Sequence, residues 1–503
     1  MVERIGTEVV VAGAGPTGLV LAYELALAGV DTLVLEKLPR RVEQVKGGGI
    51  QPRTAELLES RGLLAPLVER VVSQEPVAGH FAALAVPLDC TPWRTGHPCP
   101  IAVPQWEIEE VLEERATAAG ARVLRGAAVS GVAPDDDGVV VTADGLQVRA
   151  HYLAACDGGH STVRRLLGLP FPGRPGTQQA VLADIRLSAA SPLVPQQIGH
   201  MSSLMRHAGG HWAVLVPLGG DRYRLTFGRT DRADTTDDTD DTREEVGAEE
   251  ITTALQAVYG PETALGAVDN ASRFTDATRQ LEHYRAGRVL FAGDAAHIHP
   301  PLGAQGLNLG VQDAFNLGWK LAATVRGRAP SGLLDSYHAE RHPVGAQVLH
   351  HTSAQRALAD PNPGEDVAAL RDIVTDLLRL PDANRHLAGL MSGLSLRYDL
   401  PGDHPLTGHR LPDAELVTDT GLVRLSALFR SGHAVLLDLA GAVPGDLRLP
   451  PGIDLVRATC AEDPGATALL VRPDGYVCWA ADGPAADRGA LLDAIAGGLA
   501  RTP

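Results

Sequence analysis

The chain has 503 residues, more than one hydrophobic core ordinarily supports, so two or three domains with room to bury a large ligand are expected. Its 44 basic and 61 acidic residues leave a formal net charge of −17 with no basic tail, which argues against nucleic acid and anionic membranes and for a small-molecule partner. No signal-peptide pattern precedes the first strand, no apolar run is long enough to span a bilayer, and Cys90, Cys99, Cys156, Cys460 and Cys478 lack C-x-x-C or zinc-ligand spacing, so a cytoplasmic protein with reduced thiols and no metal is expected.

Val9 to Ala12 is a β-branched run closed by Gly13, and Leu19, Leu21, Ala22, Leu25 and Ala26 follow at helical spacing. Gly13 permits the turn, Gly15 lets backbone approach a pyrophosphate, and Gly18 lets the helix pack on its strand. Pro16 and Thr17 belong to the same turn, where the helix N-terminus points N–H groups at phosphates. A second strand, Thr32 to Leu35, ends at Glu36, placed to accept hydrogen bonds from a ribose, with Lys37 beside it. The βαβ order predicts a dinucleotide site and leaves NAD and FAD open.

The run Gly47, Gly48 and Gly49 predicts backbone held against something flat or bulky, or else a flexible loop. Arg53 precedes an amphipathic helix from Thr54 to about Arg61, and could meet a phosphate or an anionic ring, or pair with Glu56. Short strand-like pieces from Val77 to Pro104 lead to Gln105, whose amide stands before a helix from Ile108 to Ala119. Strands Val139 to Thr142 and Gln147 to Leu153 flank an Asp144-Gly145 hairpin turn. The second runs into Asp157 and Gly158, followed by a helix that Ser161 or His160 caps.

From Phe171 to Thr275 the pattern becomes β-rich, with strands at Val181 to Leu187, Trp212 to Pro217 and Tyr223 to Arg229. Within it, Asp231 to Glu250 predicts a solvated acidic loop leading into a helix, since no His or Cys accompanies the carboxylates. A buried strand then ends in Gly293-Asp294, and a proline-glycine loop opens a helix from Gly306 to Arg326. Helical character resumes from Asp335 to His342 and from Val367 to Leu380. His297 and His299 read as packed, loop-stabilising histidines, and His350 and His351 as surface residues. The last hundred residues predict a separate α/β segment: strands at Ala434 to Leu439, Asp454 to Ala458, Ala468 to Arg472 and Tyr476 to Ala480, and a helix from Arg488 to Leu499.

Together, Gly13, Gly15 and Gly18 with Glu36, Asp157-Gly158, and Gly293-Asp294 followed by the Pro300 to Asn308 loop resemble the three fingerprints of the flavoprotein aromatic hydroxylases. The resemblance covers about the first 385 residues. More narrowly, the chain is similar to actinobacterial hydroxylases of aromatic polyketides of the angucycline and anthracycline type. It implies an α/β fold: a Rossmann-like FAD-binding domain over residues 1–170 and 276–385, an inserted β-rich substrate domain over 171–275, and a thioredoxin-like domain over 386–503. Lacking C-x-x-C, that last domain is excluded from disulfide chemistry.

The resemblance also implies residue roles. Asp294 would accept hydrogen bonds from the ribityl chain. Pro300, Pro301, Gly303, Ala304, Gln305, Gly306, Leu307 and Asn308 would lie along the isoalloxazine, with helix N–H groups facing N1 and the C2 carbonyl. Asp157 and Gly158 would touch FAD and also serve the nicotinamide cofactor, while Arg41 and Gln105 would contact the pyrophosphate and ribityl chain. Family members often carry glycine where this chain has Ala304. The implied activity is monooxygenation: NADPH or NADH reduces FAD, O2 is captured as a C4a-hydroperoxide, and one oxygen passes to a phenolic ring of a polycyclic aromatic polyketide intermediate. Gly47 to Gly49 would let the flavin move. No side chain is assignable as the base. Two rivals remain, a Baeyer–Villiger oxygenase on the same fold and a flavin-binding or oxidase protein without oxygen insertion. A flavin halogenase is disfavoured because its Trp-x-Trp-x-Ile-Pro pattern is absent, and the oligomeric state stays open, a homodimer included.

Overall fold

The computed structural model describes residues 3–43, 47–73, 75–230, 245–462 and 464–499. At its centre six strands lie in the order Arg285–Ala286, Val289–Phe291, Tyr152–Ala155, Val9–Ala12, Thr32–Glu36 and Arg122–Arg125, parallel apart from the first. The register sets Phe291, Ala155, Ala12 and Leu35 abreast. The turns that follow them, at Ala292–Asp294, Cys156–Asp157, Gly13 and Glu36, therefore sit side by side at the carboxyl edge of the sheet, where open parallel sheets bind ligands.

The helix Pro16–Leu27 follows the glycine turn and crosses the helix Gln305–Val325 at close range. Small residues set that distance: a Cβ at Gly310 would lie 2.3 Å from Thr17 Oγ1, and one at Gly318 would lie 2.5 Å from Glu24 Cβ. Leu19, Val20, Leu21 and Leu25 are fully buried in this layer, each contributing about 1.5–3 kcal/mol by leaving water.

A second sheet orders Glu3–Gly6, Leu146–Ala150, Val139–Ala143 and Val129–Pro134. Asp144 at φ 38° and Gly145 at φ 83° make the expected hairpin turn. The single strand expected from Gln147 to Leu153 instead divides at His151. Its first part joins this sheet and Tyr152–Ala155 joins the central one, while the Glu8 carbonyl accepts from both His151 N–H (2.9 Å) and Tyr152 N–H (3.3 Å) at the switch.

The β-rich stretch forms a five-stranded antiparallel sheet, Met205–Ala208, His211–Gly219, Arg222–Arg229, Gln179–Ala189 and Ala264–Thr275. Val181, Ala183, Ile185, Leu215, Leu225 and Phe227 face the helix Ala248–Tyr259 in one core. Alternation puts Asp184 and Arg224, directly paired across the strands, on the opposite face. Of the acidic stretch Asp231 to Glu250, residues 231–244 lie outside the described ones, and the expected helix follows it.

Three other expectations are corrected. Val77 to Pro104 is largely irregular, with a 3-10 turn at Thr91–Trp93 and a two-residue strand at Ile101–Ala102, because Pro87, Pro92, Pro98 and Pro100 lack ladder donors and Ala82, Ala83 and Arg94 take left-handed backbone. The helical character expected from Asp335 to His342 extends as one helix, Ser336–Leu358, through Pro343, whose missing N–H would have faced the carbonyl of exposed Ala339. A further helix, Pro381–Ser392, was not anticipated.

The C-terminal segment is a six-stranded mixed sheet, Gly421–Arg424, Glu415–Thr418, Ile453–Cys460, Ala434–Asp438, Ala468–Val471 and Val477–Ala481, with the helix Arg488–Gly498. Among the described residues no helix is long and apolar enough to cross a membrane.

Candidate cofactor site

The glycine turn divides its work visibly. Gly13 has φ 100°, and a Cβ there would meet the Cys156 carbonyl oxygen at 2.5 Å; a Cβ at Gly18 would sit 2.0 Å from the Gly13 oxygen. Above Gly15, by contrast, no neighbouring atom of the described residues lies within 4 Å of an added Cβ. Glu36 is locked at its strand end, accepting from Ala14 N–H (2.8 Å) and Leu38 N–H (2.9 Å), and Lys37 beside it is exposed.

The next turn brings Asp157, whose Oδ2 accepts from Val163 N–H at 3.0 Å while Oδ1 is buried without a protein partner. Gly158, at φ 83°, also faces open space. Ser161, and not His160, caps the following helix by accepting from Arg164 N–H at 3.0 Å. Arg164 then ties this turn to the third: it donates to Gly159 O (2.6 Å) and Ala295 O (3.0 Å) and stacks 3.7 Å over Phe171. Burial pulls its pKa down to about 10, which leaves it cationic at neutral pH. Gly293 seats the third turn on the first, since a Cβ there would meet Thr17 Oγ1 at 2.7 Å. Asp294 is exposed and forms no hydrogen bond with a described residue.

Behind it stands a buried polar support of which the sequence signalled only His297, because Asp313 and Arg341 read as ordinary helix positions. Asp313 accepts from Gly293 N–H (3.1 Å) and Arg341 Nε (2.7 Å) and meets His297 Nε2 (2.7 Å), and Arg341 continues to Tyr398 (3.1 Å). Burial raises the Asp313 carboxyl, but Arg341 and His297 outweigh it and hold the group below the usual range, so it stays ionised. His297 is thus a packed histidine. His299 Nδ1 bonds Pro300 O at 2.8 Å, and burial lowers its pKa. Of the pair expected at the surface, His350 is exposed but His351 is buried on the inner side of the helix, which corrects that reading.

In the Pro300 to Asn308 loop, Gly303 has φ 75° and Ala304 φ 53°, so an alanine occupies left-handed backbone at a cost of about 1–2 kcal/mol. What holds it there is Asn308, whose amide accepts from Gln51 N–H (2.8 Å) and donates to Gly49 O (2.8 Å) and Ala304 O (2.8 Å). Gln51 Nε2 completes the clasp on Gly303 O at 2.9 Å. The Asn308 side chain thus ties the loop to the Gly49–Gln51 segment. Gln305 is likewise turned inward, donating to Met391 O at 3.2 Å. The helix that starts at Gln305 has no capping side chain, which leaves its N–H end and positive dipole open at Gly306 and Leu307.

The glycine run forms the opposite wall. A Cβ at Gly47 would lie 3.6 Å from Gln105 Oε1 and 3.7 Å from Leu307, one at Gly48 3.1 Å from Arg224 Nη1, and one at Gly49 3.5 Å from Ala304 Cβ. Arg224 is oriented by Asp184 (2.9 and 3.3 Å), and Asn270 bridges Asp184 (3.3 Å) to Glu43 O (2.9 Å). Asp184, Arg224 and Asn270 were missed because a charged or polar residue on a strand reads as solvent-facing.

Two arginines expected near the cofactor are held by protein partners. Arg41 lies along the helix Gln105–Ala118, paired with Glu110 (3.2 Å) and Glu113 (2.7 Å). Arg53 pairs with Glu56 (2.9 Å), donates to Asp474 O (2.7 Å) and lies 4.9 Å over Tyr476, so of its alternatives the ion pair is realised. Gln105, whose Nε2 donates to Glu109 at 2.7 Å, stays beside Gly47.

The family described as FAD binding domain matches residues 6–352, and that described as aromatic-ring hydroxylase, C-terminal, matches residues 404–501. The 12-dehydrotetracycline 5-monooxygenase/anhydrotetracycline 6-monooxygenase of Streptomyces rimosus is 46% identical over 504 residues, covering 97% of this chain and 98% of that protein. The structure of an anhydrotetracycline hydroxylase from Streptomyces rimosus is similar with a TM-score of 0.88 and 44% identity, covering 99% of this chain and 100% of that one. A Diels–Alderase of pyrroindomycin biosynthesis is similar with a TM-score of 0.80 and 38% identity, covering 97% and 99%.

Proposed function

The chain belongs to the FAD-dependent aromatic-ring hydroxylases, and from that membership we propose that it hydroxylates an electron-rich ring of a polycyclic aromatic polyketide with FAD, NADPH or NADH, and O2. The observation that carries this reading is the meeting of three turns and one uncapped helix start at the edge of the central sheet. FAD fits the groups present: open space above Gly15 and Gly158, an orphaned buried oxygen on Asp157, an exposed Asp294 and a free helix N-terminus. When bound, FAD supplies the redox and oxygen-activating chemistry.

The chain's own residues then have defined tasks. The Gly13–Gly18 turn and its helix receive the pyrophosphate, Glu36 the ribose and Asp294 the ribityl hydroxyls. The N–H groups at Gly306 and Leu307 stabilise negative charge on the reduced ring. Arg224, held by Asp184, offers a fixed cation on the facing wall, and the insert sheet excludes water from the space between. In this reading residues 1–170 and 276–385 form a Rossmann-like domain, 171–275 the substrate domain, and 386–503 a thioredoxin-like domain.

The test is to purify the protein, record its visible spectrum, titrate FAD, and ask which aromatic polyketides accelerate NAD(P)H oxidation. A phenol one oxygen heavier than the substrate is expected. A lactone favours Baeyer–Villiger chemistry instead, and a colourless protein indifferent to FAD refutes the proposal. The similarity to a Diels–Alderase supports one second reading, a flavin-binding protein without oxygen insertion, which predicts only hydrogen peroxide with every aromatic ligand tried.

A further inference from the structure

The hairpin Pro473–Gly475 of the C-terminal sheet is gripped by residues of the cofactor-binding part of the chain. Arg53 Nη2 donates to Asp474 O (2.7 Å), Arg61 Nη2 to Pro473 O (2.9 Å) and Asn316 Nδ2 to Asp474 Oδ2 (3.3 Å). Arg472 holds the hairpin from its own side through Asp474 Oδ1 (3.0 Å) and extends to Glu340 (2.7 Å), which also takes Lys320 (2.9 Å). Arg53, Arg61, Asn316, Lys320, Arg472 and Asp474 are all buried and Glu340 is nearly so, and the cluster is thus not a screened surface network.

The two helices that grip the hairpin also carry the loop clasp. Arg53 lies in the helix Pro52–Ser60, and the residue immediately before that helix is Gln51, which bonds Asn308 and Gly303. Asn316 lies two turns along from Asn308 in the helix Gln305–Val325, and Gln312 between them reaches Thr54 at 3.4 Å, joining the two helices. Asn308, Gln312, Asn316 and Lys320 recur every fourth residue, a buried polar stripe from the loop to the hairpin.

We propose that Arg53 is a positioning residue, through which the C-terminal hairpin fixes the start of the helix Pro52–Ser60 and so the Gln51–Asn308 clasp that shapes the Gly303–Ala304 loop. The C-terminal domain thereby has a part in the cofactor site although it holds no redox cysteine pair. The importance of that loop rests on the flavin reading above, but the contact chain is a property of the ligand-free protein and is tested there.

The experiment is hydrogen–deuterium exchange of ligand-free protein, followed in peptides covering residues 48–54 and 305–311, for Arg53→Met and for Gly475→Ala. The second variant acts from the other side, because a Cβ at Gly475 (φ 79°) would lie 3.2 Å from Arg53 Nη2. Losing one buried bond to a charged donor should speed opening of these peptides by about tenfold or more, with residues 9–18 unchanged and Arg53→Lys restoring part of the protection. Arg488→Ala, at an exposed pair with Asp446 in the same domain, should leave the loop unchanged. Unaltered exchange at residues 48–54 in either folded variant overturns the proposal. In wild-type protein, residues 48–54 and 473–476 should open together as urea rises, and independent earlier opening of residues 48–54 overturns it as well. With FAD bound, the same variants should divert more NAD(P)H oxidation to hydrogen peroxide; a wild type that binds no FAD would refute the flavin reading and leave the exchange result standing.

Discussion

Gly15→Ala is expected to leave the ligand-free fold intact and to weaken FAD binding severely. Gly15 precedes the helix Pro16–Leu27 with φ −79° and ψ 177°, backbone that alanine adopts freely, and an added Cβ meets no neighbouring atom of the described residues within 4 Å. The change in stability should therefore stay within about 0.5 kcal/mol, or favour the fold slightly by restricting the unfolded chain. The same methyl projects into the opening assigned to the pyrophosphate. Forcing a methyl into a filled van der Waals gap costs about 1–3 kcal/mol, which is about 5- to 150-fold in Kd. Gly18→Ala should behave oppositely, since its Cβ would fall 2.0 Å from the Gly13 carbonyl oxygen and backbone must move. Urea unfolding without FAD, compared by midpoint and m-value, separates the two variants, and flavin-fluorescence titration then measures affinity. If Gly15→Ala binds FAD like wild type, or destabilises the ligand-free protein as much as Gly18→Ala, the assignment of that opening is wrong.

Asp294→Asn should change ligand-free stability by less than about 0.5 kcal/mol, because the carboxylate bonds no described residue, yet weaken FAD by about tenfold through one lost charge-assisted hydrogen bond. Gly310→Ala should destabilise by about 1–3 kcal/mol as its Cβ strikes Thr17 Oγ1; Thr17→Ala should recover much of this, giving a favourable coupling in a double-mutant cycle read by urea melts. Burial raises the Glu340 carboxyl, but Arg472 and Lys320 prevail and hold it well below its ordinary 4.5. The folded state thus binds that proton more weakly than the unfolded chain, so its contribution is complete above about pH 4.5 and drains away as pH falls. Stability should drop by up to about 1.4 kcal/mol per pH unit there, and Glu340→Gln should flatten the slope in pH-dependent melts.

What was legible in the chain was the chemistry that sterics dictates locally. Gly13 is required by its own turn, at φ 100°, and Gly18 by the Gly13 carbonyl oxygen beside it, so their spacing announced them. Asp157 and Asp294 stood at strand ends for the same reason. What escaped depended on partners remote in sequence. Arg53 finds Asp474 across 421 residues, and nothing near Arg53 favours that partner over a phosphate. The Asn308 clasp escaped because its partners at Gly49 and Gln51 lie 259 and 257 residues away. The division at His151 was hidden because no Gly or Pro interrupts the run from Leu146 to Ala155 to mark the change of sheet.

The strand Tyr152–Ala155 is flanked by Val9–Ala12 on one side and Val289–Phe291 on the other, with the entire antiparallel insert between them in the chain. As the polypeptide leaves the ribosome, the earlier strands must wait with one bare apolar margin until the later one arrives, the kind of margin that invites association with other chains. Nor can a truncated N-terminal product carry the prosthetic group, because the Gly310 seat beneath the glycine turn is synthesised later still. Cofactor capture should thus be a late event in the life of the molecule, and chains that stall within the insert are expected to be colourless and adhesive.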